Sequence, residues 1–138
     1  MYTLLIVDDE PNILLGMKAL LDWESYGVSR IVTATSCAEA LARAVDTRPQ
    51  IALIDVCIGK EFGQDLIKQM RDAGLDCACI MMSGHREFTY ACEALRCGAW
   101  DYLLKPIQAD KLAAVVELVI QEKLHGTVKK QAKDAEIE

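Results

Sequence analysis

The sequence predicts an α/β fold, a doubly wound sandwich in which helices cover both faces of a five-stranded parallel sheet. Three observations carry this prediction. Apolar runs of four to six residues alternate with segments of helical period, five times along the chain. No hairpin signal separates consecutive runs. The runs are apolar at successive positions, so each strand is covered on both faces, the pattern of a buried parallel sheet. Right-handed crossovers between such strands complete the double winding.

The first run, residues 3–7, ends at Asp8-Asp9-Glu10. Pro11 suits a first helical position, and Ile13, Leu14, Met17, Leu20 and Leu21 form the apolar stripe of the helix it opens. Residues 29–33 make a second, weaker strand. Ser36 can cap the next helix, with Glu39 three residues on completing a capping box. That helix runs to about Thr47, and Pro49 lies just beyond it. The third run, residues 51–54, ends at Asp55, and a loop over 57–64 leads to a helix over 65–73 closed by Gly74.

Residues 78–82 form the fourth strand, ending at Ser83-Gly84. A helix over 86–96 stops at Cys97-Gly98, and residues 100–104 are the fifth strand, followed by Lys105-Pro106. The last helix starts near Ala109 and carries Leu112, Val115, Val116, Val119 and Ile120 on one side. Residues 1–124 are therefore expected to form one domain, and 125–138 a polar linker or frayed tail.

A length of 138 residues suits one domain with its own core, and 52% apolar residues exclude a disordered chain. The net charge of −6 argues against a nucleic-acid surface in this segment, because phosphate backbones need a basic footprint. Cations or a basic protein face are the expected contacts. The apolar runs are too short to span a bilayer, and no signal-peptide pattern opens the chain, so a cytoplasmic location without membrane contact is expected. Cys37, Cys57, Cys77, Cys79, Cys92 and Cys97 contain no C-x-x-C pair, and only His85 and His125 could complete a metal site with them. They read as small apolar residues.

Ligands of parallel α/β sheets bind outside the carboxyl ends of the strands. Those ends carry Asp8 and Asp9 after the first strand, Asp55 after the third, Ser83 after the fourth and Lys105 after the fifth. Three carboxylates brought together repel one another, and a hard divalent cation such as Mg²⁺ relieves the repulsion. A lysine, a hydroxyl and such a cation can stabilise a transferring phosphoryl group, and a carboxylate in that place can itself accept it.

Ile6-Val7-Asp8-Asp9-Glu10, Asp55 closing an apolar strand, Ser83-Gly84 and Tyr102-Leu103-Leu104-Lys105-Pro106 together resemble the signature set of response-regulator receivers, over roughly residues 2–124. The resemblance implies a flavodoxin-like (βα)5 fold with strand order 2-1-3-4-5. It implies that Asp55 accepts a phosphoryl group from a sensor histidine kinase, so that the chain catalyses only its own phosphorylation and dephosphorylation. Asp9 would bind Mg²⁺ directly and Asp8 mostly through water, with Asp55 and the backbone carbonyl of Cys57 as further ligands. Lys105 would contact the phosphoryl group and Ser83 would hydrogen-bond to it, while Tyr102 turns inward when Ser83 moves. The Lys105-Pro106 bond would be cis.

A finer resemblance lies in Asp22-Trp23-Glu24, in residues 83–88 and in residues 101–107, which are similar to receivers of the YesN type that precede AraC-like helix-turn-helix domains. It implies transcriptional output through a DNA-binding domain absent from this chain, with a stand-alone receiver as the alternative. A homodimer would use the face of the fourth helix, fifth strand and fifth helix. Some positions depart from the common receiver pattern. Ile58-Gly59 stands where many receivers read Met-Pro, and glycine there frees the backbone of the acceptor loop. Lys111 and Val115 replace a glutamate and an arginine of one dimerising subfamily, so that subfamily's ion-pair network is not carried over. His85, two residues after Ser83, occupies a place where receivers tune dephosphorylation.

Each residue also has a plainer reading. Asp8 and Asp9 could be a solvated helix start, Asp55 a turn, Lys105-Pro106 a loop, Ser83 a helix cap and Tyr102 packing. Chance alone places all of them at strand ends far less readily than function does. A haloacid dehalogenase-type phosphatase would want Asp-x-Asp after the first strand, where this chain has adjacent acids. A flavodoxin-type carrier would want a Ser/Thr/Gly-rich loop in the same place.

Overall fold

The computed structural model describes residues 1–84 and 98–126. In chain order the strands are β1 (Tyr2–Val7), β2 (Val28–Ala34), β3 (Ile51–Asp55), β4 (Cys57–Ile58), β5 (Glu61–Phe62), β6 (Ala78–Ser83) and β7 (Asp101–Leu104). The described helices are α1 (Pro11–Leu20), α2 (Cys37–Thr47), α3 (Gly63–Asp72) and α4 (Ala109–Leu118). Five strands form one sheet in the order β2-β1-β3-β6-β7, with every pair parallel. Counted along the chain, that is the expected 2-1-3-4-5.

Successive residues of a strand face opposite sides of its sheet, so a continuous apolar run fills two cores at once. Leu4, Ile6, Leu53, Ile80 and Met82 pack on one face with Leu14 and Met17 of α1 and Leu112 and Val116 of α4. Leu5, Val7, Ile54 and Met81 pack on the other with Ala40 and Ala44 of α2 and Leu66, Ile67 and Met70 of α3. All of β3 and β6 is buried.

Four local details differ from the sequence reading. The loop expected over 57–64 instead holds a small antiparallel hairpin, β4 with β5, and α3 begins at Gly63 rather than at 65. Gly59 has a φ of 62°, the left-handed backbone that a two-residue hairpin turn needs and that glycine adopts freely. A 3₁₀ turn, Trp23–Tyr26, follows α1, and the Trp23 indole N–H donates to the Met17 carbonyl at 3.1 Å. At the start of α2, Ser36 Oγ accepts from the Glu39 amide at 3.1 Å, as the capping box requires. The Glu39 carboxylate, however, reaches back to the Thr35 amide at 2.9 Å, one residue before the cap.

The last helix continues into a π turn, Val119–Lys123, and Leu124 still packs on the α1 and α4 core. The expected helix over 86–96, with His85, Cys92 and Cys97, lies outside the described residues, as do residues 127–138. Cys37, Cys77 and Cys79 are buried free thiols, and Cys57 is half-buried.

Candidate functional site

The carboxyl edge of the sheet is where backbone pairing stops and side chains are released. The ladder reaches one residue past several strands before it ends. Asp8 N–H donates to the Ala34 carbonyl at 3.2 Å, Val56 N–H to Met82 at 2.9 Å and Lys105 N–H to Ser83 at 2.7 Å. These bonds fix the first residue of each loop, and so they fix where Asp8, Asp55 and Lys105 emerge.

The Lys105 ammonium sits between two carboxylates, 2.9 Å from Asp55 Oδ2 and 3.2 Å from Asp8 Oδ2. Asp8 is wholly buried and Asp55 is 8% exposed. The second oxygen of each is held by backbone: Asp8 Oδ1 accepts the Glu10 amide at 2.9 Å, and Asp55 Oδ1 accepts the Cys57 amide at 3.4 Å. Asp9 is exposed, and its Oδ2 accepts the Gly59 amide at 3.1 Å. Among the described residues, carboxylate oxygens of Asp8, Asp9 and Glu10 lie within 4.8 Å of one another. Asp55 completes no such group of three with Asp8 and Asp9.

One ammonium cannot neutralise this many acids. Burial pushes the Asp55 carboxyl up, and the Asp8 charge adds to that; the Lys105 hydrogen bond and charge pull it down, for a net position of about 6. Burial also disfavours the Lys105 ammonium, but Asp55 and Asp8 outweigh it and hold its pKa above the usual lysine range. The donor set is all oxygen, one carboxylate is fully buried, and negative charge is in excess. That chemistry fits a hard divalent cation such as Mg²⁺ and not a zinc ion, which takes nitrogen and sulfur.

Ser83 ends β6, is buried, and its hydroxyl has no hydrogen-bond partner among the described residues. A buried unsatisfied hydroxyl is costly unless something polar arrives to meet it. Tyr102 of β7 is half-buried and packs against the core beneath α2 and α3. The Lys105-Pro106 peptide bond is cis, as expected.

The structure adds a residue that sequence reasoning missed. A Cβ on Gly63 would run into the Asp55 carbonyl oxygen and press on Met81 and Ile54. Only glycine lets the start of α3 come this close, and the Gly63 amide closes the approach by donating to the Val56 carbonyl at 2.7 Å. No signal in a single sequence marks a glycine at a helix start as a close-approach position.

The sequence matches the family of the response regulator receiver domain over residues 4–117. The chain belongs to the response-regulator receiver family. Its relatives include the uncharacterized transcriptional regulatory protein YesN of Bacillus subtilis, 38% identical over 122 residues, which are 88% of this chain and 33% of that protein. The transcriptional regulatory protein HptR of Staphylococcus aureus is 30% identical over 121 residues, 88% of this chain and 47% of the relative. The chain thus spans a third to about half of the curated relatives it matches. Among solved structures, the receiver domain of AraT, a response regulator from Geobacillus stearothermophilus, superposes with a TM-score of 0.82 at 35% identity, covering 90% of this chain and 95% of that one. The receiver domain of NtrX from Brucella abortus gives 0.77 at 29% identity, covering 87% and 99%. The receiver fold expected from the strand-end residues is therefore the fold of this chain.

Proposed function

We propose that the chain is the phosphorylation-controlled switch of a two-component system, with Asp55 as phosphate acceptor. The observation that carries this reading is the Lys105 ammonium shared by buried Asp8 and Asp55 at the carboxyl edge. The donor would be the phosphohistidine of a sensor histidine kinase. An Asp55 oxygen attacks phosphorus; the new O–P bond forms as the P–N bond to the imidazole breaks, and the electron pair returns to the ring. Asp8, Asp9, Asp55 and the Cys57 carbonyl would hold Mg²⁺, which when bound supplies positive charge against the phosphoryl oxygens.

The chain's own groups do the rest. Lys105 is already within 2.9 Å of the acceptor and pairs with a phosphoryl oxygen as that oxygen displaces Asp55 from it. The buried Ser83 hydroxyl gains a partner by turning to the same group, and Tyr102 follows it inward. The switch then biases a two-state equilibrium of the face that carries β7 and α4, through which a homodimer would form. The longer relatives named as transcription regulators support an output through a DNA-binding domain elsewhere in the protein. Action in the cytoplasm belongs to the same proposal; among the described residues no helix is long and apolar enough to cross a membrane.

Incubation with acetyl phosphate and Mg²⁺ should add one phosphate to the wild type and none to Asp55→Asn, read by intact mass. Equal labelling of both proteins would overturn the assignment.

A further inference from the structure

We infer that Tyr2 is the seat on which the chain is fixed as it leaves the domain at Gly126, and that the seat holds alike with Asp55 free or phosphorylated. The second half rests on the switch reading above; the first does not.

The end of the last helix is irregular in a costly way. After α4 the π turn, Val119–Lys123, widens the backbone, and the Leu124 amide donates to the Val119 carbonyl at 3.1 Å. His125 then takes a φ of 55°, the left-handed backbone that helix ends usually give to glycine. The glycine comes one residue later. The Gly126 amide closes the end by donating to the Ile120 carbonyl at 2.8 Å. Gly126 does not itself take the left-handed backbone, but a Cβ on it would run into the Tyr2 hydroxyl and stand 3.1 Å from Ile120 Cγ2. Close approach to Tyr2 sets glycine there. A strained residue such as His125 persists only where its surroundings hold it.

Tyr2 is held in turn by residues that the carboxyl edge does not use. Its amide donates to the Gly27 carbonyl at 2.9 Å, and its ring edge lies 3.1 Å from where a Cβ on Gly27 would sit. Gly27, with a φ of 85°, caps the 3₁₀ turn Trp23–Tyr26, and its amide reaches the Glu24 carbonyl at 3.0 Å. Asp22-Trp23-Glu24 thereby gains a task, which is to build the turn that leaves room for the Tyr2 ring. Trp23 and Tyr26 are buried in the core that Tyr2 and Leu124 join. The proposed moving groups lie elsewhere. Tyr2 opens β1 and Asp8 follows its last residue, about 20 Å away at strand spacing. Ser83 and Lys105 share that far edge, and Tyr102 packs on the opposite face of the sheet from Tyr2. Distance and sheet face both separate the exit from the switch. The signal is then read on the face of β7 and α4, not by release of the exit.

The test is amide hydrogen exchange at Leu124 and at position 126 of the ¹⁵N-labelled chain, with Leu53 of β3 as the check that the fold is intact. Gly126→Ala should speed exchange at both amides roughly tenfold, a local opening of the exit, and leave Leu53 unchanged. Tyr2→Phe alone should stay within about twofold of the wild type. Tyr2→Phe added to Gly126→Ala removes the hydroxyl that the methyl meets, and should bring exchange back to within about threefold. Acetyl phosphate with Mg²⁺ should leave both amides of the wild type within about twofold. A Gly126→Ala protein that exchanges like the wild type overturns the seat, and so does a double variant no slower than Gly126→Ala alone. Acceleration by phosphorylation of more than about threefold overturns its independence of the switch. If the wild type takes up no phosphate, the switch reading fails instead, and the seat stands or falls on the variants.

Discussion

The two edges of one sheet are built on opposite terms. At the amino edge Gln50 and Arg71 satisfy backbone groups of several strands and loops. Gln50 accepts the Thr3 amide through its side chain at 2.7 Å, donates its own amide to the Thr3 carbonyl at 3.1 Å, and accepts the Ala78 amide at 2.9 Å. That single residue ties the starts of β1, β3 and β6 together. Arg71 spreads its guanidinium over the carbonyls of Leu75 at 3.0 Å, Cys77 at 2.8 Å and Gly98 at 3.1 Å. At the carboxyl edge two buried acids compete for one lysine, Asp55 is pushed up to about 6, and the Ser83 hydroxyl has nothing to bond among the described residues. The contrast teaches where each quality resides. The edge that closes its hydrogen bonds stabilises the sheet, and the edge that leaves charge and a hydroxyl uncompensated is free to bind.

Substitutions can break or sharpen that contrast. The largest effect belongs to the one place where the active edge has no slack. Gly63→Ala should lose about 3 kcal/mol, because its methyl meets the Asp55 carbonyl and the backbone must move. Urea unfolding reads this, and a near-neutral result would show that the close approach is not a constraint. Arg71→Ala should cost about 2 kcal/mol by uncoupling three carbonyls, with phosphorylation at Asp55 retained. A loss of labelling larger than the loss of stability would blur the division between the edges.

Asp55→Asn should move stability the other way. Because the carboxyl sits at about 6 when folded, above its ordinary value near 3.9, the folded state binds its proton more tightly. Its contribution is full below about pH 4, is lost as pH rises through about 6, and stays lost above that. The cation-free variant should therefore be more stable than wild type by about 1–2 kcal/mol at pH 7, with the gap closing toward pH 4. A wild type that gains stability between pH 4 and 6 through this group would contradict the frustrated-edge reading. The smallest effect belongs to Lys123, whose ammonium lies 2.7 Å from the exposed Asp76 carboxylate. Lys123→Ala should shift the denaturation midpoint by less than about 0.5 kcal/mol, as solvent-screened pairs do.

Much of this was legible in the residue order. The buried strands announce themselves as unbroken apolar runs, and Asp8, Asp55, Ser83 and Lys105 were found by asking only what stands at the end of each run. The acceptor loop was harder. Residues 57–64 are short and mixed, so the period of two never shows in β4 and β5, and polar character there reads as loop. The capping box was half legible, since Ser36 with Glu39 is a local pattern, whereas the choice of the Thr35 amide depends on how the chain enters α2.

By itself, the sequence determined the layered fold, the strand order implied by its resemblance, and the identity of the residues at the strand ends. Those follow from hydrophobic period and nearest-neighbour chemistry, which act over a few residues. Only the tertiary structure decided which acids share Lys105, that Ser83 is left unbonded among the described residues, that Gly63 must lack a side chain, and that Gly59 holds Asp9. The partners in these contacts are mostly far apart in the chain, 97 residues for Lys105 with Asp8 and 50 for Gly59 with Asp9. Burial and distance on that scale exist only once both faces of the sheet are packed.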